Sequence, residues 1–384
     1  MPRRQKLCLK SLSAFVLSEY PNIRRLYMNT AAALSFDQTH LFVGIDTHLK
    51  NWRVTTRNAG IELKTFSMNP SPLELISYLH NHFPSGTYHL VYEAGFCGFW
   101  PLRVFQQHHI DCIVVNPADV PTTNKEKVNK SDPIDSKKLA RELEKNSLHG
   151  IYVPTVEHEE LRMLMRLRYR VIQSQTRTKN RIKGLLYSQG IAIPLQFSGP
   201  ARWSHHFICW LESLPMNTTA GRFTLHNLIA QLREIRQHNK NVLKQLRAEA
   251  RKDTIAPILC TLMSVPGVAF ITAMTLYTEI IDMKRFSDEN HLASFIGLVP
   301  SVQSSDENIY SNNITVRKHS FLRTIMIEAA WTAVREDPAM TLRFSELNKR
   351  MKGQDAIIRI ARKLISRIRH VWLHQQEYQY SLVA

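Results

Sequence analysis

Four acidic residues between positions 46 and 135 have the types and spacing needed to bind divalent metal ions. Asp46 follows an apolar run in LFVGIDTH, and Glu93 follows another in HLVYEAG. Asp132 and Asp135 lie three residues apart in NKSDPIDSKKLA, a spacing that puts both carboxylates on one face of a helix. Clustered carboxylates suit hard divalent cations, and two such ions about 3.5–4 Å apart can act on a phosphodiester. The set therefore predicts a metal-dependent site for nucleic acid.

Each carboxylate also has a purely structural interpretation. Asp132 precedes Pro133, which fits a helix N-cap followed by a first-turn proline, and Asp135 then lies where it favours the helix dipole. Asp46 and Glu93 at strand ends are also typical of turn-forming residues. The order strand-Asp, strand-Glu, helix-Asp-x-x-Asp favours the metal site over these separate interpretations.

Strand and helix signals alternate in residues 41–150, and their order predicts an α/β domain. The order βββαβαβα is typical of an RNase H-like sheet, which places carboxylates at strand ends and on its last helix. The predicted strands are Leu41–Asp46, Trp52–Asn58, Ile61–Met68, His89–Ala94 and Cys112–Asn116, and the predicted helices are Pro72–Phe83, Phe99–His109 and Pro133–Lys145.

A basic loop, Pro117–Lys130, precedes the acidic pair. It contains Lys125, Lys127 and Lys130, which either contact phosphates or belong to a solvated loop.

Two long amphipathic helices are predicted in the middle of the chain, at residues 157–189 and 224–251. The first carries eight lysines and arginines and no acidic residue between residues 161 and 186. A solvated helix usually mixes both signs, so this charge favours contact with nucleic acid. The two helices predict an antiparallel pair or a coiled coil, with a surface for oligomer formation. The connection at residues 190–223 is predicted to be irregular.

Composition narrows the class of protein. The chain has 384 residues, enough for two or three domains, and 44% hydrophobic residues, enough for a sizeable core. Its net charge of +18 makes nucleic acid the first partner to consider, ahead of a membrane. The five cysteines are scattered, which argues against a zinc site or a disulfide framework and favours a reducing cytoplasm. No apolar run is long enough to span a bilayer, and residues 1–40 are predicted to be a poorly determined extension.

Residues 257–373 are predicted to be mostly helical. The tight turn Ser264–Val268 lies between apolar helical stretches. Its backbone N–H groups are predicted to bind phosphate, as in helix-hairpin-helix modules, or else the segment is a plain connection between two helices.

Several short motifs occur together along the chain and carry a family resemblance. The chain from about residue 41 to 375 resembles the IS110/IS1111 family of transposases, which includes the Piv-type site-specific DNA invertases. The matching segments are Gly44-Ile45-Asp46, Glu93-Ala94-Gly95, Lys130–Asp135, Lys179–Ile182, Ser264–Gly267, Arg285-Phe286, Gly297–Pro300, Ser304-Ser305, Ile314-Thr315, Arg317 and Leu322-Arg323.

The resemblance implies a fold, a cofactor and a mechanism. It implies an N-terminal RuvC-like domain that binds Mg²⁺ through the four carboxylates, and a C-terminal domain whose serine forms a covalent phosphoserine link to DNA. Ser305 matches the place of that serine, with Ser304 as the fallback. The implied partners are DNA, a structured non-coding guide RNA and further copies of the chain, as a dimer or tetramer. The implied location is the bacterial cytoplasm, at the nucleoid.

Two alternatives compete with this reading. The chain departs from the family pattern at Asp306 and Glu307, where the family has small glycines. The added negative charge at these residues should repel an incoming phosphate. One alternative is therefore a decayed transposase that still binds nucleic acid without catalysis. The other is a RuvC-like endonuclease that uses the carboxylates and water and leaves free ends.

The predicted fold class is α/β plus mainly α, in four segments. Residues 1–40 form the extension, 41–152 the RuvC/RNase H-like domain, 153–252 the long basic helices and 253–384 the C-terminal transposase domain. The residues predicted to contact nucleic acid are Lys130, Arg166, Arg170, Arg177, Lys179, Arg181, Arg317 and Arg323.

Overall fold

A computed structural model of the chain describes residues 36–121, 132–199, 202–305, 308–315 and 319–380; within these ranges the side chains of residues 132–134, 300–305 and 308–314 are not described. The chain divides into two compact units, Met1–Val153 and Pro154–Ala384. The first is a mixed α/β unit, and the described part of the second is helical apart from one hairpin. The prediction of an α/β part followed by a mainly helical part is confirmed at this level.

The first unit is built on a five-stranded sheet in the order β3-β2-β1-β4-β5. The first three strands are antiparallel, whereas β1, β4 and β5 run parallel to one another. Fully buried residues such as Leu41, Val43 and Ile45 explain why β1 occupies the centre of the sheet. The strands are β1 (His40–Thr47), β2 (Trp52–Asn58), β3 (Ile61–Met68), β4 (Thr87–Glu93) and β5 (Asp111–Val115).

Helices cover both faces of this sheet, which accounts for the apolar runs in its central strands. Alternate residues of β4 show the division. Leu90 shares one core with the first two helices, and Val91 shares a second, smaller core with Leu139 of the third helix. The helices are α1 (Pro72–His82), α2 (Trp100–Gln107) and α3 (Asp132–Glu144).

The second unit contains nine helices in its described part, of which α4 and α6 are the longest. They pack against each other in opposite directions, because Ile182 near the end of α4 shares a core with Leu225 near the start of α6, and Met165 shares another with Leu246. The antiparallel pairing is as predicted; the finer description as a coiled coil stays a prediction. The helices are α4 (Val156–Ser188), α5 (His205–Ser213), α6 (Thr219–Glu249), α7 (Ala256–Met263), α8 (Phe270–Ile280), α9 (Glu289–Ile296), α10 (Ser320–Glu336), α11 (Pro338–Asn348) and α12 (Gly353–His374).

Two elements differ from the sequence-based expectations. The connection predicted to be irregular contains α5, which Ser204 caps by accepting a hydrogen bond of 3.2 Å from the Phe207 amide, and which buries Phe207 and Leu211. The region predicted to be mostly helical contains a two-stranded hairpin, β6 (Pro300–Ser305) and β7 (Asn308–Ile314). Its serines, asparagines and β-branched residues disfavour a helix, and the paired strands satisfy one another's backbone groups.

No helix in the described residues is both long and apolar enough to cross a lipid bilayer.

Candidate active site

The sheet brings Asp46 and Glu93 to the same edge. β1 and β4 are parallel neighbours, and their last paired residues are Ile45 and Tyr92. Asp46 and Glu93 are therefore the next residue on each strand. Because the carboxyl ends of parallel strands meet at one edge, the two carboxylates belong to that edge although 46 intervening residues separate them in sequence.

Both carboxylates also belong to the face of the sheet that α3 covers. Gly44 lies directly under α3, where an added Cβ atom would overlap the Ser136 carbonyl oxygen and lie 2.5 Å from the Ala140 amide nitrogen. Side chains on a strand alternate between faces, so Asp46, two residues after Gly44, faces α3. On β4, Val91 shares a hydrophobic core with Leu139 of α3. Glu93, two residues after Val91, therefore also faces α3.

The direction of α3 puts its acidic first turn at this edge. Glu144, the last residue of α3, forms an ion pair of 2.9 Å with Arg57, which stands opposite Phe42 in the first half of β1. Since the end of α3 lies beside the start of β1, its first turn lies beside the end of β1. Asp132 and Asp135 are in that turn. Asp46, Glu93 and the first turn of α3 thus lie at one edge of the sheet.

The described side chains give a partial view of this acidic edge. Asp46 is 19% exposed, and its Oδ2 atom lies 3.1 Å from Nε2 of His48, which is 47% exposed. Asp135 is half-buried, whereas the side chain of Asp132 is outside the description. Among the described side chains, no cluster of three or more His, Cys, Asp or Glu is close enough to hold a metal ion. The set Asp46, Glu93, Asp132 and Asp135 therefore stays a prediction, although an all-carboxylate donor set fits a hard divalent cation.

His48 was missed by sequence reasoning. It lies just beyond β1 and contacts Asp46. A histidine two residues after an aspartate is not a recognisable motif by itself.

The predicted nucleophile lies at the end of a strand. Ser305 is the last residue of β6 and pairs with Asn308, while Ser304 pairs with Ile309. At the base of the hairpin, the Thr315 amide donates a hydrogen bond of 3.0 Å to the Val299 carbonyl. Both serines thus occupy the tip of the β6–β7 hairpin, and their role stays a prediction. Residues 306, 307 and Arg317 lie outside the described residues, as does Lys130.

Two of the predicted basic residues bind acceptors within the protein, although one of them, Arg166, has 46% of its side chain exposed. Arg166 donates two hydrogen bonds of 2.7 Å to the Glu279 carboxylate, and Arg323 is 8% exposed and donates one of 2.6 Å to the Thr315 carbonyl. These internal contacts give both arginines a role in the fold, so a nucleic-acid contact is a weaker expectation for them. The remaining described members are exposed or half-buried: Arg170, Arg177, Lys179 and Arg181.

Glu279 forms a second carboxylate centre, which the sequence analysis did not anticipate. It is the one acidic residue in the apolar helix α8, its side chain is 1% exposed, and it contacts Arg166, Arg162 at 3.8 Å and His319 at 3.2 Å. Burial acts to raise the pKa of Glu279, but the hydrogen bonds from His319 and Arg166 outweigh it and lower the pKa to about 2. Since His319 caps α10, this cluster ties α4, α8 and the start of α10 together.

The turn predicted to bind phosphate makes internal contacts. Gly267 has φ +82°, and an added Cβ atom would lie 2.9 Å from the Ala333 amide nitrogen of α10. The Gly267 amide donates a hydrogen bond of 3.0 Å to the Glu336 carboxylate. A carboxylate of the same chain therefore occupies the position expected for phosphate, which favours the plain helix connection.

Family models match both parts of the chain. A DEDD transposase model of the IS110 type matches residues 43–189, which include the acidic edge, and a model described as the transposase IS116/IS110/IS902 family matches residues 260–345, which include the β6–β7 hairpin. Both models describe transposases. The chain belongs to the IS110 family of transposases.

Curated relatives agree with this assignment. A putative transposase y4rJ of Sinorhizobium fredii is 28% identical over 365 residues, covering 87% of this chain and 92% of that protein. Another putative transposase of the same organism, y4qE, is 27% identical over 241 residues, 63% of this chain and 57% of its own length. The transposase for insertion sequence element IS1111A of Coxiella burnetii is 27% identical over 248 residues, 64% of this chain and 66% of its own length. The chain thus spans less than two thirds of two of these relatives.

Proposed function

We propose that this chain cleaves and rejoins DNA during transposition or site-specific recombination. The observation that carries the proposal is the shared edge and face of Asp46, Glu93 and the first turn of α3, within the segment that matches a DEDD transposase model. This arrangement supports a RuvC/RNase H-like reading of the first unit, in which Asp46, Glu93, Asp132 and Asp135 would hold Mg²⁺. Bound there, the ion would neutralise charge on the scissile phosphate.

Ser305 is the proposed nucleophile. Its Oγ atom loses a proton and bonds to phosphorus, while the bond from phosphorus to a deoxyribose oxygen breaks and that oxygen leaves as a hydroxyl. A hydroxyl of another strand then attacks the phosphoserine and restores the Ser305 hydroxyl. Ser305 lies at the place of the family's serine, within the segment that matches the transposase model over residues 260–345, and this match supports the role.

The proposed partners are DNA, a structured non-coding RNA and further copies of the chain. The exposed cations of α4 and the net charge of +18 support a nucleic-acid partner, and charge alone does not separate RNA from DNA. The long α4–α6 pair supports a dimer or tetramer in which these helices form a coiled-coil contact.

A covalent adduct tests the proposal. The full chain is mixed with Mg²⁺, duplex DNA carrying the ends of its own element and RNA transcribed from the flanking non-coding segment, and products are run on a denaturing gel. We expect a protein–DNA adduct that Ser305→Ala eliminates and that the neighbouring Ser304→Ala only weakens. The reverse pattern would identify Ser304 as the nucleophile. Metal-dependent free ends without an adduct would favour the endonuclease, and binding without any cleavage would favour the decayed transposase.

A further inference from the structure

One side of α6 carries a row of cations that no site described above uses. Lys240, Lys244, Arg247 and Arg251 follow at intervals of four, three and four residues, which puts them on one side of the helix and of the turn that ends it. All four are exposed. Together with the half-buried Leu243 they line a surface groove of about 450 Å³. We call these four residues the α6 basic row.

The basic row lies away from the packing side of α6. Val242 and Leu246, the buried residues in the same stretch of α6, lie on the opposite side of the helix and pack in the core. The cations of the row therefore do not help to hold the helix in place. An evenly spaced set of exposed cations is left on the outer side, where like charges repel one another.

Neighbouring cations of the same region behave differently. Arg233 forms an ion pair of 2.7 Å with Glu212, and Lys252 forms one of 2.5 Å with Glu249. Within the residues that the structure describes, no carboxylate forms an ion pair with a member of the row. The row is therefore a concentrated positive charge that the described part of this chain does not neutralise.

We propose that the α6 basic row binds the phosphodiester backbone of a nucleic acid duplex. Single cations about 5–6 Å apart along a straight helix match a regular line of phosphates better than an irregular acidic protein surface. The groove has no aromatic lining residue, so it lacks the stacking platform that single-strand binding uses. The inference rests on the proposed function only for the class of partner, because it concerns binding and not strand cleavage.

Matched double variants test the row in the full chain. Lys244→Gln with Arg247→Gln removes two charges from the row, and Arg233→Gln with Lys252→Gln removes two charges from cations that already have carboxylate partners. Binding is measured without metal, so that no cleavage occurs, on a DNA duplex and an RNA duplex of random sequence and on poly(dT), over a range of salt concentrations.

The expected result is a difference in salt dependence. The row variant should flatten the slope of log K against log salt by about 0.9 for each lost phosphate contact, and the control pair should change it much less. The duplex that shows the larger change identifies whether DNA or RNA is the ligand. Equal changes in both pairs, no change in the row variant, or a larger change for poly(dT) than for either duplex would overturn the proposal.

A charge-conserving variant separates binding from folding. Lys244→Arg with Arg247→Lys keeps both charges and should bind with the slope of the parent chain, whereas a loss equal to that of the glutamine variant would show that the row acts through helix structure. Because catalysis is absent from every arm, failure of the proposed strand cleavage leaves these outcomes readable.

Discussion

The chain has two carboxylate centres with opposite surroundings. The acidic edge of the first unit gathers Asp46, Glu93 and the first turn of α3 at the rim of a sheet, where Asp46 keeps 19% of its side chain exposed. The Glu279 centre of the second unit is 1% exposed and receives hydrogen bonds from Arg166 and His319. One centre lies at the rim of the sheet and is partly exposed, and the other buries a single charge among cations.

The difference indicates what each centre is for. Carboxylates that share an edge repel one another, so their arrangement is favourable only with a cation or a proton between them. A buried carboxylate with its own arginine partners needs nothing further, and losing it leaves those partners uncompensated. We therefore expect substitutions at the acidic edge to reduce activity with little effect on stability, and substitutions at Glu279 to reduce stability first.

The largest expected effect is at Asp46. Asp46→Asn should lower metal-dependent DNA cleavage by about three orders of magnitude, which corresponds to about 4 kcal/mol of lost transition-state stabilisation. DNA binding and the thermal midpoint should stay near those of the parent chain. Asp111→Asn is the matched control, because Asp111 is exposed and lies at the start of β5, paired with His89. Cleavage at the parent rate by Asp46→Asn would remove this residue from the site.

Glu279→Gln should give the largest loss of stability. Removing the buried charge leaves Arg166 and Arg162 without their partner and should lower the free energy of unfolding by about 3–5 kcal/mol. Hydrogen exchange is the suitable measurement, since faster exchange should be concentrated in α4, α8 and the start of α10. Glu346→Gln, in an exposed pair with Arg343, is the control and should change little. Unchanged protection in α8 would show that the cluster does not stabilise the unit.

Acidification should remove the stabilisation that the Glu279 carboxylate gives to the folded state. The folded pKa of about 2 lies below the ordinary value of 4.5, so the stabilisation is complete above about pH 4.5 and is lost as the pH falls towards 2. The difference in stability between the parent chain and Glu279→Gln should therefore shrink by up to about 3 kcal/mol over that range. Unfolding by urea at a series of pH values measures it. A difference that stays constant down to about pH 2.5 would contradict the lowered pKa.

The smallest effect is expected at His48. His48 is 47% exposed, and an ion pair that is open to solvent on one side contributes about 1 kcal/mol at most. His48→Ala should therefore lower cleavage less than about tenfold and leave stability unchanged. A loss as large as that of Asp46→Asn would mean that His48 takes part directly in the reaction, and the acidic edge would need to be redefined.

The sheet was predictable because its strands are bounded by local signals. Trp52–Asn58 and Ile61–Met68 agree residue for residue with β2 and β3, since the turn at Asn58-Ala59-Gly60 separates two β-rich runs. The hairpin β6–β7 was not predicted. Its residues are polar and lack a clean alternation, so only pairing between the two strands makes the extended form favourable, and that pairing is invisible in either strand alone.

The candidate site was predictable where a motif fixed the position of a residue on an element. Asp46 and Glu93 at strand ends were in the expected places. Long-range partners were not predictable in the same way. The eight cations of α4 gave one uniform signal, yet Arg166 binds Glu279, 113 residues away, and nothing in the sequence distinguishes Arg166 from Arg170. The sequence shows where the cations of α4 are, but tertiary packing decides which of them remain available to bind nucleic acid.

Gly44 has a consequence for the precision of the acidic edge. Because Gly44 has no side chain, the main chains of β1 and α3 touch at this point, and this contact sets the distance between β1 and the helix. Main-chain atoms do not change rotamer, so side-chain motion does not alter the distance between β1 and α3 at Gly44. Even one methyl group at residue 44 would push α3 away from the sheet. The distance from Asp46 and Glu93 to the acidic first turn of α3 would then increase, although no acidic residue is changed.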